Sequence, residues 1–343
     1  MNQSAMPDSL DEIRALLRAL PGPDEETAAA AAERQGKLTK PPGSLGQLEE
    51  LAVWLARWQG RHPPSLERPH VAVFAANHGV AAQGVSAYPP AVTTQMVANF
   101  IEGGAAVNQL AGLADAELRV HEMALDQPTQ DFTQTPAMDE ADCVKAMAYG
   151  MMAVEPGFDA YALGEMGIAN TTSSAALCYA LYGGEAADWT GRGTGIDDQT
   201  LQRKTAAVEA AVALHKPDLS DGLEILRCLG GLEIAAIAGA ILAARLAKTP
   251  VVLDGYTCTA AAALLHAIEP RAIDHCLVAH LSVEPGHAAL LKRIGKPPLL
   301  QLGMRLGEAS GASLALLLLK AACACHAGMA TFEEAGVSGK LEG

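Results

Sequence analysis

Short apolar segments of strand length alternate along this chain with longer segments that have helical hydrophobic spacing or a high alanine content. The strand-like segments are 70–76, 117–123, 158–163, 250–253 and 275–280. The predicted helices cover about 9–20, 24–35, 47–58, 91–113, 172–182, 206–214, 221–228, 230–247, 259–268 and 287–293. Such alternation predicts an α/β fold, a parallel sheet with helices on both faces. In sheets of this kind, ligands bind beyond the carboxyl ends of the strands.

Both ends of the chain lack strand-like segments. The first helices precede the first strand, and the segment from about Ala309 onward is alanine-rich and helical. We therefore expect a large α/β domain over 30–305 and a small helical domain that combines 1–29 with 306–343.

The composition argues against several classes of protein. The 343 residues have a formal net charge of −15, and aromatic residues make up 4%. A nucleic-acid-binding protein needs a basic face, so no nucleic-acid partner is expected. Small anions remain suitable ligands, because backbone N–H groups can hold them without net positive charge. The seven cysteines form no CxxC pair, so neither a disulfide framework nor a zinc site is indicated.

The longest apolar stretches are interrupted by charged residues, namely Glu233, Arg245 and Lys320. We therefore predict no membrane span. The N-terminal segment 1–20 is acidic and amphipathic, without the basic start and apolar block of a signal peptide. A soluble, cytoplasmic protein is the consistent interpretation.

Two glutamates stand in similar surroundings. Glu165 lies in the segment 163–172 and Glu308 in 304–313; each follows a glycine and precedes small residues of a predicted helix. A carboxylate among apolar neighbours tends to have a raised pKa, which suits a proton acceptor near neutral pH. Alternatively, each glutamate could simply stabilise a helix N-terminus. The repetition of the arrangement favours a functional site.

Glycine-rich segments offer further candidates. Gly230-Gly231 precedes a long helix, where free amides could hold a phosphate. Close packing of that helix explains the pair equally well. The segment 191–198 resembles a dinucleotide-binding loop only loosely and is better interpreted as a plain loop. For His78, an ordinary hydrogen-bonding role outweighs a catalytic or metal-binding one.

Several motifs together resemble a known family. They are Lys40-Pro41-Pro42-Gly43-Ser44-Leu45-Gly46, Asn77-His78-Gly79-Val80, Tyr88-Pro89 with Val92-Thr93, Gly164-Glu165-Met166-Gly167-Ile168-Ala169-Asn170-Thr171-Thr172, Gly230-Gly231, Leu253-Asp254-Gly255 and Arg305-Leu306-Gly307-Glu308-Ala309-Ser310-Gly311. In this order they resemble the nicotinate-nucleotide–dimethylbenzimidazole phosphoribosyltransferases, over nearly the whole chain.

The resemblance implies a Rossmann-like α/β domain, a small helical domain, a homodimer, and no metal or redox cofactor. It implies transfer of the 5-phosphoribosyl group from nicotinate mononucleotide to 5,6-dimethylbenzimidazole, giving α-ribazole 5′-phosphate and nicotinate in cobalamin assembly. By family analogy Glu308 is the general base. Glu165 either stabilises positive charge at C1′ or orients its loop, with the two roles equally favoured.

The remaining candidate residues divide between the two substrates. The base pocket is assigned to Tyr88, Met96, Met166 and Leu306. The phosphate and ribose are assigned to Gly167, Asn170, Thr171, Thr172, Gly230 and Gly231, with Lys204 as a cationic contact and His280 and Ser282 as weaker candidates.

The chain departs from the family's commonest pattern at Asn77 and Ala91, where Asp and Glu are frequent. Two alternatives therefore stay open. One is a phosphoribosyltransferase of the same fold that uses another base, such as adenine or a phenol. The other is a non-catalytic carrier of a nucleotide or base.

Overall fold

The computed structural model describes residues 6–338, and its strands form one sheet. The strands are β1 (Pro69–Ala75), β2 (Glu117–Glu122), β3 (Ala160–Met166), β4 (Val251–Leu253), β5 (Cys276–His280) and β6 (Pro298–Leu300). All pair in parallel, in the order β2-β1-β3-β4-β5-β6. The chain reverses its direction of winding between β1 and β3, and such a switch point leaves a crevice at the carboxyl ends of the strands.

Helices connect and cover the strands. In the described residues they are α1 (Leu10–Arg18), α2 (Glu25–Lys37), α3 (Gln47–Gln59), α4 (Ala91–Glu102), α5 (Ala106–Leu113), α6 (Glu140–Met152), α7 (Asn170–Tyr182), α8 (Ala186–Trp189), α9 (Asp198–His215), α10 (Gly222–Leu229), α11 (Leu232–Leu246), α12 (Tyr256–Ile268), α13 (Pro285–Ile294) and α14 (Ser310–Gly328). Short 3₁₀ helices occupy Gly79–Gln83 and Pro270–Ile273.

Alternate residues of the central strands face two separate cores. Phe74 and Leu163 belong to a large buried cluster, which they share with residues of α6, α7, α11 and α12. Val73 and Ala162 belong to a second cluster, which includes residues of α3, α5 and α14. Because both faces of the sheet are buried, the predicted parallel sheet with helices on both faces is confirmed.

Four local features differ from the prediction. The single helix expected over 91–113 is two helices, because Gly103 adopts φ +82° and ends α4 before α5 begins. Helix α6 and the edge strand β6 were not predicted. Strand β3 extends to Met166, beyond the predicted end at residue 163, so that Glu165 lies within it and pairs in register with Phe74.

Helix α14 is a core element. It packs against α3, α5 and the strands β3 to β5. Among residues 6–338 it is the one helix long and apolar enough to cross a membrane, but half of that stretch is buried within the fold. A buried core helix of this kind passes the same length and composition test.

The division into two domains stays a prediction. Leu10, Ile13 and Leu17 of α1 belong to the large cluster, and Arg14 Nε donates to Asp221 Oδ2 at 2.7 Å. Helix α2 instead packs on α3, and Arg34 Nε donates to the His326 carbonyl of α14 at 2.8 Å. Residues 1–5 and 339–343 of the predicted small domain lie outside the described residues.

Close packing of α6 on α11 gives a stability prediction. A Cβ at Gly150 would lie 1.8 Å from the Ala236 carbonyl oxygen, so Gly150→Ala must separate the two helices. We expect a loss of about 1–3 kcal/mol in the free energy of unfolding, measured by urea denaturation. Gly36→Ala in α2 is the control, because no atom lies within 4 Å of its added Cβ. It should be neutral or stabilise by up to ~1 kcal/mol, and equal stability of the two variants would contradict the prediction.

Candidate active site

A cavity of about 880 Å³ opens at the carboxyl ends of β3 and β5. Ten of the thirteen predicted site residues line it: Tyr88, Met96, Glu165, Met166, Gly167, Asn170, Thr171, Lys204, Leu306 and Glu308. The volume lies within the range of small-molecule sites. The switch point between β1 and β3 thus leads into one cavity that holds both glutamates.

Glu308 is the least compensated carboxylate of the cavity. It lies in the loop before α14, its residue is 6% exposed, and burial raises the pKa of its carboxyl to about 7. Within residues 6–338, no hydrogen bond or ion pair offsets this effect. The carboxylate can therefore change its protonation state near neutral pH, as a general base requires.

Glu165 is surrounded differently. Its Oε2 accepts a hydrogen bond from Asn170 Nδ2, and its backbone oxygen accepts one from Glu308 N at 3.2 Å. Burial raises the pKa of Glu165 well above its usual value, and the carboxylates of Asp254, Glu233 and Glu308 raise it further. The contact with Glu308 N supports the loop-orienting role, and a raised pKa disfavours the ionised form that the charge-stabilising role needs; both roles stay predictions.

The four predicted base-pocket residues form an apolar part of the wall. Met96 and Met166 are half-buried, whereas Tyr88 and Leu306 are 53% and 56% exposed. The cavity thus has an apolar, solvent-exposed rim beside Glu308. Such a surface suits a flat aromatic ring, and the polarisable thioethers adapt to its shape.

The lining around Lys204 is polar, in contrast to this apolar wall. Lys204 itself is 1% exposed. Its Nζ donates to Thr171 Oγ1 at 2.8 Å and to the Gly191 carbonyl at 3.0 Å. Burial lowers the pKa of Lys204 to about 8. Helix α7 begins beside it without a side-chain cap at Ala169, although Asn170 N and Thr172 N already donate to the carbonyls of Gly167 and Ala169 at 3.1 and 2.9 Å. A buried cation beside a helix N-terminus is suited to a phosphate.

The structure does not bring Gly230, Gly231 and Thr172 to the cavity wall. A Cβ at Gly231 would lie 2.2 Å from His78 Cε1, and His78 Nε2 lies 2.6 Å from Glu233 Oε1. The start of α11 is therefore filled by a buried histidine–glutamate pair, which leaves no room for a phosphate. The alternative interpretation, close packing, agrees with these contacts.

Asn77 and Ala91, the departures from the family pattern, do not line the cavity either. Asn77 Nδ2 donates to the Leu125 carbonyl at 2.8 Å and so supports a neighbouring loop. Neither residue forms part of the cavity wall.

Sequence reasoning missed part of the wall. Arg192, Glu284 and Arg305 line the cavity, as do the weaker candidates His280 and Ser282. Glu284 Oε1 accepts from Gly193 N at 2.8 Å, and Arg305 Nη1 donates to the Gly193 carbonyl at 3.0 Å. In the sequence, the glycine-rich segment 191–198 was the one sign of this part of the wall. The structure shows that it is not a plain loop, because Glu284 and Arg305 hold it from two sides.

No group of three potential metal-ligating side chains within residues 6–338 is arranged to hold a metal ion.

Comparison with known proteins identifies the class. The family model described as phosphoribosyltransferase matches residues 20–337. A protein of Methylocella silvestris, named nicotinate-nucleotide–dimethylbenzimidazole phosphoribosyltransferase, is 60% identical over 334 residues, which cover 97% of this chain and 98% of that protein. A protein of the same name from Rhizobium etli is 58% identical over 340 residues, covering 99% and 100%.

A solved structure agrees with these relatives. The crystal structure of nicotinate-nucleotide–dimethylbenzimidazole phosphoribosyltransferase from Thermus thermophilus superposes with a TM-score of 0.85 at 43% identity, covering 92% of this chain and all of that one. This chain belongs to the nicotinate-nucleotide–dimethylbenzimidazole phosphoribosyltransferase family.

Proposed function

We propose that this protein transfers the 5-phosphoribosyl group from nicotinate mononucleotide to 5,6-dimethylbenzimidazole, with Glu308 as the general base. The products are nicotinate and α-ribazole 5′-phosphate. The observation that carries the proposal is the combination, in one cavity, of an uncompensated carboxylate beside an apolar wall and a buried lysine beside a helix N-terminus.

The two kinds of lining in the cavity match the two substrates. Lys204 and the start of α7 suit the 5′-phosphate of the mononucleotide. Tyr88, Met96 and Met166 suit the flat apolar ring of the acceptor. Holding both reactants in one site can supply a large part of the rate enhancement.

Proton transfer gives Glu308 its role. One ring nitrogen of dimethylbenzimidazole attacks C1′ of the ribose, and the bond from C1′ to the pyridinium nitrogen breaks, releasing nicotinate. The other ring nitrogen loses its proton, which the Glu308 carboxylate accepts. A base of this kind typically contributes ~10²–10⁴-fold to the rate.

A product assay tests the proposal. The protein is incubated with both substrates, and nicotinate and α-ribazole 5′-phosphate are quantified by HPLC. We expect equal amounts of the two products, and no nicotinate when the acceptor is left out. Turnover only with adenine or a phenol would support the other acceptor class, and tight binding without nicotinate release would support a carrier.

The pH dependence follows from the two shifted pKa values. Glu308 must be ionised to accept a proton, and burial raises its pKa to about 7. We expect kcat/KM to fall by about tenfold per pH unit below that value. Lys204, with a pKa of about 8, loses its charge above that pH, so KM for the mononucleotide should rise there. A profile that stays flat down to the usual pKa of a glutamate would contradict the role of Glu308.

The homodimer and the cytoplasmic location stay proposals. The homodimer rests on the family resemblance, because the exposed rim residues Tyr88 and Leu306 are already assigned to the acceptor. Sedimentation equilibrium of the purified protein tests this, and a monomer at all concentrations would contradict it.

A further inference from the structure

Asp254 follows β4 and lies, fully buried, beneath the start of α14. Its Oδ1 accepts a hydrogen bond from Ala312 N at 2.8 Å, and the N–H groups of Ala309 and Gly311 also interact with the carboxylate. The N-cap residue of α14, Ala309, has no side-chain oxygen of its own. A residue from a different strand therefore supplies the cap that the helix sequence lacks.

The loop that carries Glu308 needs such an anchor. Gly307, Glu308 and Ala309 have φ values of +81°, +61° and +59°, so two consecutive non-glycine residues are left-handed. This conformation is costly for residues with a Cβ and persists only where surrounding contacts hold it. Immediately after it, Ser310 Oγ donates to the Gly307 carbonyl at 2.7 Å, and the Asp254 contacts begin.

We propose that Asp254 is a positioning residue, which caps α14 and thereby holds the Glu308 carboxylate in place in the cavity. The proposal rests on the proposed function, in which Glu308 is the base. Asp254 itself does not line the cavity, so it acts through the helix start and not on the substrates.

The cap needs an acceptor oxygen and not a negative charge. Burial raises the pKa of Asp254 to about 7, against the opposing effect of the three N–H groups. Its second oxygen has no hydrogen-bond partner in the described part of the chain, and His280 Nε2 lies 3.6 Å from Oδ1. An asparagine keeps the accepting oxygen at this position, whereas an alanine removes it.

A double-mutant cycle tests the proposal. We expect Asp254→Ala to lower kcat by ~10²-fold, the size of a misplacement of ~1 Å at a catalytic group. KM for nicotinate mononucleotide should stay within about threefold, because the contacts of Lys204 with Thr171 and Gly191 do not involve Asp254. Asp254→Asn should retain kcat within about threefold, since Asn and Asp cap helices similarly. In the Glu308→Gln background, Asp254→Ala should cost nothing further, because both changes remove the same function.

The outcomes distinguish a failure of the general-base role of Glu308 from a failure of the positioning role of Asp254. Wild-type turnover of Glu308→Gln would overturn the base and, with it, the role given to Asp254. An impaired Glu308→Gln together with an active Asp254→Ala would overturn the positioning role alone. A further loss of kcat from Asp254→Ala in the Glu308→Gln background would also overturn the positioning role. So would a loss of kcat in Asp254→Asn as large as that in Asp254→Ala.

Two other variants guard against a general loss of structure. Asp221→Ala removes a comparable cap, which accepts from Leu223 N at 2.9 Å in α10, and should lower Tm without changing kcat. If Asp254→Ala does not fold, Gly311→Ala replaces it, because its Cβ would lie 2.9 Å from Asp254 Oδ1 and 2.1 Å from His280 Cδ2. It should lower kcat, and KM for the mononucleotide is no criterion for this variant, because the displaced His280 lines the cavity; wild-type kcat in Gly311→Ala would contradict the proposal.

Discussion

We expect Glu308→Gln to lower kcat by ~10²–10⁴-fold while both substrates still bind. Glutamine keeps the size of the side chain and can hydrogen-bond to the acceptor ring, but it cannot take up the ring proton. The acidic limb of the pH profile should disappear together with the activity, because that limb reports the ionisation of the Glu308 carboxyl. Steady-state kinetics with both substrates varied, at several pH values, measures these effects.

Glu122→Gln is the matched control. Glu122 ends β2 at the same edge of the sheet, but it lines a separate cavity of about 580 Å³. Its substitution should leave kcat and the pH profile unchanged. If both variants lost activity equally, the effect would be a general consequence of removing acidic charge from this edge. If neither did, Glu308 would not be the base.

We expect the second large effect from Lys204→Met, which should raise KM for nicotinate mononucleotide by about 30-fold. A hydrogen bond involving a charged group contributes roughly 1.5–3 kcal/mol, and the buried ammonium loses little of this to solvent. KM for dimethylbenzimidazole should change little, because the apolar wall is unaltered. Initial rates at saturating acceptor measure the first constant, and rates at saturating mononucleotide measure the second.

Lys145→Met controls for loss of a positive charge, because Lys145 is exposed at the second cavity. Lys204 also anchors Thr171 and Gly191, so Tm should be measured in parallel. The phosphate-binding role is contradicted if Lys204→Met raises KM only for the acceptor, or lowers Tm while KM for the mononucleotide stays unchanged.

The central strands β1, β3, β4 and β5 could be predicted because they are buried on both faces. The sequence of β1 is a nearly continuous run of apolar residues, as is typical of a strand that is buried on both faces. Edge strand β6 escaped prediction because it has only three residues and begins with a proline. The break between α4 and α5 was signalled by Gly103-Gly104, but two glycines in a periodic segment do not by themselves distinguish a kink from a helix end.

The residues of the cavity were predictable where the motif itself forms the wall, as at Gly167, Asn170 and Glu308. Gly230-Gly231 shows the limit of this reasoning. A glycine pair before a helix has the same appearance whether it admits a phosphate or a neighbouring side chain, and here His78 is the neighbour. The contribution of Asp254 depends on a contact with Ala312, 58 positions further along the chain, which no local pattern contains.

The contact between β3 and the start of α14 restricts how this enzyme can be redesigned. A Cβ at Gly164 would lie 2.1 Å from Ala309 N, and one at Gly307 would lie 2.6 Å from Glu165 Oε1. At Gly164 the neighbour is main chain, and Gly307 has φ +81° beside the Glu165 carboxylate, so neither glycine can be enlarged to reshape the cavity. Directed libraries aimed at bulkier or smaller nucleobases should instead vary Tyr88 and Met96, which line the cavity and have no such glycine constraint.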